Sequence, residues 1–276
     1  MKIAIQGDRG SFHHQAAIRH FGDDISLVCC ETFADVFGAL NRHEADTALV
    51  AIENSLYGSI NEVYDLLESH RYPITGELFI RIHQQLIGLP GAKLADIHTV
   101  YSHPVALAQC EQYLNVNLPQ AKRTEYHDTA AAAEFVHTKQ NSAIAAIASS
   151  EAARLYDLSV IAQNIEDNAN NYTRFVSIGR TADTNTASHS KASLVIETDH
   201  TPGALARVLG IFADNGVNMT KLQSRPIPGK VWTYRFYIDI ECAGPKLHDL
   251  LATIRSSHSA NVIILGQYVQ HPPLKL

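Results

Sequence analysis

The chain has 276 residues, 46% of them hydrophobic and 18% charged, with a net charge of −6. That length predicts two domains, or one split domain with an appendage, and the acidic balance gives no basic footprint for phosphate backbones, so no nucleic-acid partner is expected. No apolar run approaches the ~20 residues a spanning helix needs, and MKIAIQGDRG meets a charged glycine turn too early for a signal peptide; no membrane association is expected, and the expected compartment is the cytoplasm.

From the N-terminus, strand-like KIAIQ leads through a glycine turn into helical SFHHQAAIRHFG, then strand-like SLVCCE, helical TFADVFGALNRHE and strand-like TALVAI. This is the rhythm of a parallel sheet with crossover helices. Thr32 followed by Asp35 resembles a capping box. The adjacent Cys29 and Cys30 suit neither a tetrahedral metal site nor an ordinary disulfide and read as reduced, buried strand residues. With no HExxH, no CxxC, and His13 and His14 on different sides of their helix, no metal and no cofactor are expected.

After AIENSLYGS come helical NEVYDLLESH, a long strand region ITGELFIRIHQQLIGLP, and a second set of alternating units from HTVYS to RFVSIG. Two consecutive α/β halves imply a ligand cleft between them. RTADTNTASHSK lacks apolar periodicity and reads as a linker. Beyond it, ASLVIET, PGALARVLGIFADNG, VNMTKLQSRP, WTYRFYIDIE, PKLHDLLATIRSSH and NVIILGQY alternate as βαββαβ, a small ferredoxin-like sandwich. The domain expectation is therefore a catalytic or binding region over 1–180, a linker over 181–192 and a second domain over 193–276.

Five segments carry polar groups where α/β sheets place ligands. In GDRGSF, Gly7 and Gly10 are positioned to bring backbone N–H groups toward an anion at a helix start, although a plain strand-to-helix turn fits equally. In YSHPVALAQC, Ser102 reads as an N-cap, Pro104 falls in the first turn, and Gln109 lies two turns on along the same face; a capped surface helix is the alternative. AIENSLYGS ends a strand with Glu53, Asn54 and Ser55, and EYHDTAAAAEF sets Asp128 and Thr129 before an alanine-rich helix, where a simple N-cap would also account for them. NNYTRF (170–175) puts two amides, a hydroxyl and a guanidinium at the mouth of a strand, or forms a polar turn into it.

The ordered set GDRGSF, IENS, YSHP, ALAQC, DTAAAA and NNYTRF, followed by GALA and QSRP, resembles the prephenate dehydratase family with a C-terminal ACT domain, and the resemblance spans nearly the whole chain. It implies an α/β catalytic region of two lobes, similar to a type II periplasmic binding protein, plus a ferredoxin-like βαββαβ ACT domain. The implied reaction turns prephenate into phenylpyruvate with loss of carbon dioxide and the ring hydroxyl. By the same resemblance Thr173 is the catalytic hydroxyl; Asn54, Ser55, Ser102, Gln109, Thr129, Arg174, Phe175, Gly10 and Ser11 contact substrate, with Arg174 a planar clamp on a carboxylate. His103 or Glu53 would end a proton relay. Phenylalanine is the implied effector, held by Gly203, Ala204, Leu205, Asn218, Gln223, Ser224, Arg225 and Pro226, and a homodimer through the ACT sheets, or a tetramer of two such pairs, is implied. Two positions depart from the family pattern: Asp8 and Arg9 stand where Pro and a small residue are common, and Gln223 stands where Glu is usual. With no further helix bundle ahead of residue 1, a single activity is expected. Arogenate dehydratase, and a sensor with no turnover, are the alternatives.

Overall fold

The computed structural model describes residues 1–182, 188–227, 229–231, 233–258 and 261–271. They form two compact units that are not contiguous in sequence: Met1–Val63 with Leu78–Phe175, and Tyr64–Glu77 with Val176–Leu276.

The first unit holds two lobes. Its first lobe is built from β1 (Lys2–Gln6), α1 (Phe12–Phe21), β2 (Ser26–Cys30), α2 (Phe33–Asn41), β3 (Thr47–Asn54), β4 (Gly58–Ser59), the start of α3 (Asn61–His70), the end of β5 (Ile74–Arg81) and the start of β11 (Tyr172–Gly179). The second lobe contains β6 (Gln85–Gly88), a 3₁₀ turn (Leu94–Asp96), β7 (Thr99–Ser102), α4 (Pro104–Gln109), α5 (Glu111–Asn117), β8 (Lys122–Glu125), α6 (Thr129–Lys139), β9 (Ile144–Ala148), α7 (Ser150–Leu155) and β10 (Ser159–Ala162). The two sheets repeat one plan: β5-β11-β3-β1-β2 in the first lobe and β10-β6-β9-β7-β8 in the second. The central strands run parallel, β1 beside β2 and β3, β7 beside β8 and β9, whereas β6 lies antiparallel to β9 and β10. This is the expected two-lobed binding-protein architecture.

Local chemistry explains the elements. The capping box on α2 forms in full: Asp35 N–H donates to Thr32 Oγ1 at 3.1 Å, and Thr32 N–H donates back to Asp35 Oδ2 at 3.2 Å. In the second lobe, Ala145 and Ile147 of β9 pack to one side of the sheet with Leu86 and Leu107; Ile144, Ala146 and Ala148 pack to the other under α6. Period-two alternation buried on both faces is what a covered α/β sheet requires, and the four alanines 130–133 let α6 lie close against it.

The second unit contains most of α3 and the start of β5, with β12 (Lys191–Glu197), α8 (Ala204–Asp214), β13 (Met219–Pro226), β14 (Tyr234–Ile240), α9 (Gly244–His258) and β15 (Asn261–Tyr268). The order β13-β14-β12-β15 is the ferredoxin-like arrangement the sequence predicts, with Leu194, Ile196, Ile238, Val208, Phe212, Leu247 and Leu251 in its core. The opposite side of these strands is polar. Lys191 Nζ donates to both oxygens of Glu77 at 3.0 and 2.9 Å, and Ser193 Oγ donates to Asp239 Oδ1 at 2.5 Å. Three ties join this side to α3: Arg225 to Asp65, Arg235 to Glu68, and the Tyr237 hydroxyl to Glu68.

Four sequence expectations need correction. ITGELFIRIHQQLIGLP is two strands in different lobes, broken at Ile82, His83 and Gln84, where the polar run His83, Gln84 and Gln85 interrupts two apolar stretches. Cys29 is exposed and Cys30 half-buried, because β2 is the outermost strand of its sheet. Lys191 and Ala192, placed in the linker, belong to β12, and residues 183–187 of that linker lie outside the described residues. The strand begun at Trp232 is described from Tyr234, position 232 itself lying outside the described residues.

Candidate active site

Between the two lobes lies a cavity of about 390 Å³, within the ~300–1,000 Å³ range of small-ligand sites. The first lobe contributes Ser11, His13, Asn54, Tyr57, Thr173 and Phe175, and the second contributes Gln84, His103, Gln109, His127, Asp128 and Thr129.

Asn54 organises the first wall. At the end of β3, its Oδ1 accepts N–H bonds from Leu56 (2.9 Å) and Tyr57 (3.2 Å), and its Nδ2 donates to Asn171 Oδ1 (2.8 Å) and Thr173 Oγ1 (3.0 Å). The amide has no capacity left. Because Thr173 Oγ1 accepts from Asn54, its own hydrogen is free for another acceptor, and Thr173 lines the cavity at 8% exposure. Ser55 fastens the same segment: its Oγ donates to Asn170 O at 2.8 Å and accepts from Tyr172 N–H at 2.9 Å. The polar cluster NNYTRF is thus a clasp between β3 and β11 that leaves one hydroxyl facing the cleft.

Strand alternation sorts the rest of β11. Thr173 and Phe175 line the cavity; Arg174, 4% exposed, is absent from its lining, with Nη1 3.8 Å from Glu53 Oε2 and its guanidinium 6.0 Å from the Phe79 ring centre. The clamp expected of Arg174 is not what this geometry offers, since neighbouring strand residues point to opposite faces. Glu53 shares its side, so of the two candidate relay groups it is His103 that lines the cleft.

On the second wall, His103 rather than Ser102 is the N-cap of α4: its Nδ1 accepts Val105 N–H at 3.2 Å, with Pro104 at the first helical position. Ser102 ends β7, fully buried, its Oγ donating to Ile147 O at 2.6 Å, and is absent from the cavity lining. The helix-face argument linking Ser102 to Gln109 therefore fails, because Ser102 is still in the strand. Gln109 does line the cavity, its Oε1 accepting from Gln84 Nε2 at 3.0 Å. Asp128 caps α6 by accepting from the N–H groups of Ala130 (2.7 Å) and Ala131 (3.1 Å); burial pushes its carboxyl up, against the downward pull of those two bonds. Thr129 follows, 9% exposed, at the cavity wall.

The glycine turn also differs from expectation. Gly7 N–H donates to Cys30 O (2.8 Å) and Gly10 N–H to His14 Nδ1 (2.9 Å), so neither amide awaits an anion. Gly10 packs at Ala152 with φ +90° and does not line the cavity, whereas Ser11, the N-cap of α1, does. No Lys or Arg is among the cavity-lining residues.

Sequence reasoning missed His13 and Gln84. The His13 Nε2 accepts Ala51 N–H at 3.2 Å, its ring meets Phe175 edge-on at 5.0 Å, and burial lowers its pKa to about 3. A histidine on an otherwise apolar helix face next to the glycine turn was the available signal. Gln84 sits in the lobe-to-lobe break, and the polar run His83–Gln85 was the available signal.

In the second unit, Gly203 opens α8 with φ +78°, Ala204 is buried and Leu205 half-buried, and Asn218 Nδ2 donates to Glu241 Oε2 at 2.9 Å. Alternation along β13 splits the remaining expected effector residues: Gln223 and Arg225 are half-buried on the side where Arg225 meets Asp65, while Ser224 and Pro226 are exposed on the other.

A two-lobed α/β body with a polar interlobe cleft, joined in one chain to a ferredoxin-like sandwich, defines a ligand-binding or catalytic module with an accessory ACT-type domain. The family model "Prephenate dehydratase" matches residues 3–183 and the model "ACT domain" residues 192–255. The chain belongs to the prephenate dehydratase family. It is 37% identical to a bifunctional chorismate mutase/prephenate dehydratase of Neisseria gonorrhoeae, over 87% of this chain and 66% of that one. It is 38% identical to arogenate dehydratase 2 of Petunia hybrida, over 88% and 65%. The chain thus spans just under two thirds of these curated relatives. Among solved structures, a protein described as a novel type of quorum quenching acylase superimposes with a TM-score of 0.87 at 32% identity, covering 99% of both chains. The prephenate dehydratase of Arthrobacter aurescens in complex with L-Phe superimposes at 0.85 and 28% identity, covering 99% of this chain and 92% of that one. Among the described residues no helix is long and apolar enough to cross a membrane.

Proposed function

We propose that the chain converts prephenate to phenylpyruvate in phenylalanine biosynthesis. The observation that carries this reading is the Asn54–Thr173 hydrogen bond, which uses a lone pair of Thr173 Oγ1 and leaves its proton to face the cleft. In the reaction the ring carboxylate leaves as carbon dioxide, its bonding pair enters the ring, and the C–O bond breaks as a proton reaches the departing hydroxyl, giving water. Aromatisation drives the step. The chain's own task is to hold the substrate and donate to that oxygen; Thr173 does so as an oriented donor, and His103, at the cleft wall, is the group that replenishes a proton.

We assign the catalytic region to 1–180, a linker to 181–190 and a phenylalanine-responsive ACT domain from Lys191 onward, a division supported by the two family matches, by the start of β12 at Lys191 and by the L-Phe bound in the Arthrobacter relative. A homodimer, or a tetramer of two dimers, accompanies this reading, with β13 offered as the outermost strand of its sheet. The test is incubation of the purified chain with prephenate and, separately, with arogenate, followed by product analysis. Phenylpyruvate from prephenate supports the reading; phenylalanine from arogenate alone replaces it with arogenate dehydratase. Turnover of neither, with release of acid from an acyl amide, replaces it with the activity named for the acylase relative.

A further inference from the structure

Gln84 lies where the chain passes from β5 to β6, and its backbone is fixed on both sides: its N–H donates to Glu166 Oε2 at 2.9 Å and its C=O accepts from Ile165 N–H at 2.9 Å. The side chain is 2% exposed and lines the cleft, with Nε2 donating to Gln109 Oε1 at 3.0 Å. Its Oε1 is buried and has no hydrogen-bond partner among the described residues. A buried acceptor is costly to leave unmatched, and an apolar side chain of equal length would fill the same space without that cost. A partner from outside the chain accounts for it.

The Gln84–Gln109 pair has a further property. Turning both side-chain amides by half a rotation preserves a hydrogen bond between them, with donor and acceptor exchanged, and puts the Gln84 NH₂ where Oε1 now stands. One orientation offers the cleft an acceptor, the other a donor. The two substrates of the dehydratase reading, on which this inference rests, differ at one such group: prephenate carries a ketone, which accepts, and arogenate an ammonium, which donates. We propose that Gln84, oriented by Gln109, contacts this group and sets the relative acceptance of keto and amino substrates. The orientation seen matches the ammonium; the reversed one matches the ketone.

The experiment compares kcat/KM for prephenate and arogenate in the full-length wild type, Gln84→Glu and Gln84→Met, with thermal melts to verify folding. Gln84→Glu, which offers only acceptors and adds a negative charge, is expected to raise the arogenate-to-prephenate ratio at least tenfold. Gln84→Met, of equal length, is expected to lower kcat/KM for both substrates at least tenfold, and it decides the question if the Glu variant does not fold. A folded Glu variant whose ratio stays within twofold of wild type, or a folded Met variant with wild-type kinetics, overturns the proposal while leaving the dehydratase reading intact. A wild type that turns over neither substrate overturns the reading itself, and the inference with it.

Discussion

A threonine hydroxyl is a weak acid in water, so the role proposed for Thr173 rests on orientation: Asn54, saturated by four hydrogen bonds, holds the oxygen as an acceptor and leaves its proton for another partner. Thr173→Ala is expected to lower kcat on prephenate by about 10²-fold or more with the fold retained, and Thr173→Ser to keep most of it, as steady-state kinetics and a thermal melt would show. An alanine variant with wild-type turnover would remove Thr173 from the chemistry. His13 gives a second prediction at this scale. Burial lowers its folded-state pKa from 6.5 to about 3, so above pH 6.5 it has no effect on stability. Below that, the unfolded chain takes up a proton that the folded chain refuses, and stability falls by up to ~1.4 kcal/mol per pH unit until about pH 3. In urea titrations between pH 6 and 4, His13→Gln should flatten that decline. The motif set Thr173 and Arg174 side by side, but a motif gives order along the chain while strand alternation decides which side faces the cleft: Thr173 lines it and Arg174 does not.

At the scale of elements, capping and periodicity were readable wherever the signal was local, as in the Thr32–Asp35 box and the βαββαβ succession. What escaped were features set by distant partners. The break at Ile82–Gln84 separates two strands of one sequence run, and the place of Ser102 in β7 is set by its pairing with Glu125 of β8. Gly266 is another such feature. It pairs with Ile74, and a Cβ there would lie 2.2 Å from the Ile74 carbonyl oxygen and 2.8 Å from its nitrogen. Backbone on one side cannot yield as a side-chain tip can, so Gly266→Ala is expected to destabilise the unit holding β15 by about 3 kcal/mol or more. Hydrogen exchange of β12 and β15 amides is the measurement; native protection in that variant would show that the strand shifts without cost.

Across the whole molecule, the compact units do not follow the functional division suggested by sequence. Residues 64–77 belong with the C-terminal segment, where Asp65 and Glu68 meet Arg225 and Arg235, and buried Glu77 meets Lys191. Cutting the chain near Arg180 strips those three carboxylates of their partners and uncovers Tyr64 and Ile74. The shortened chain is expected to lose both its response to phenylalanine and several kcal/mol of stability, since an orphaned ion-pair partner such as Glu77 costs ~3–5 kcal/mol when it remains buried. Urea denaturation of the 1–180 fragment beside the full chain measures the second effect, and inhibition assays the first. A fragment of undiminished stability would show that 64–77 needs no C-terminal support.

The strand order also dictates a sequence of events during synthesis. In the first lobe β11 lies between β5 and β3, yet it is made more than a hundred residues after β3, once all of β6 to β10 has been synthesised. The lobe synthesised first must wait with its sheet unclosed, while the lobe synthesised second has every strand in hand by Ala162 and can close at once. A released fragment ending at residue 171 should therefore resist limited proteolysis between Gln85 and Ala162 and be cut readily between Lys2 and Asn54. Extending the released fragment by the eight residues of β11 should be what confers resistance on the older half.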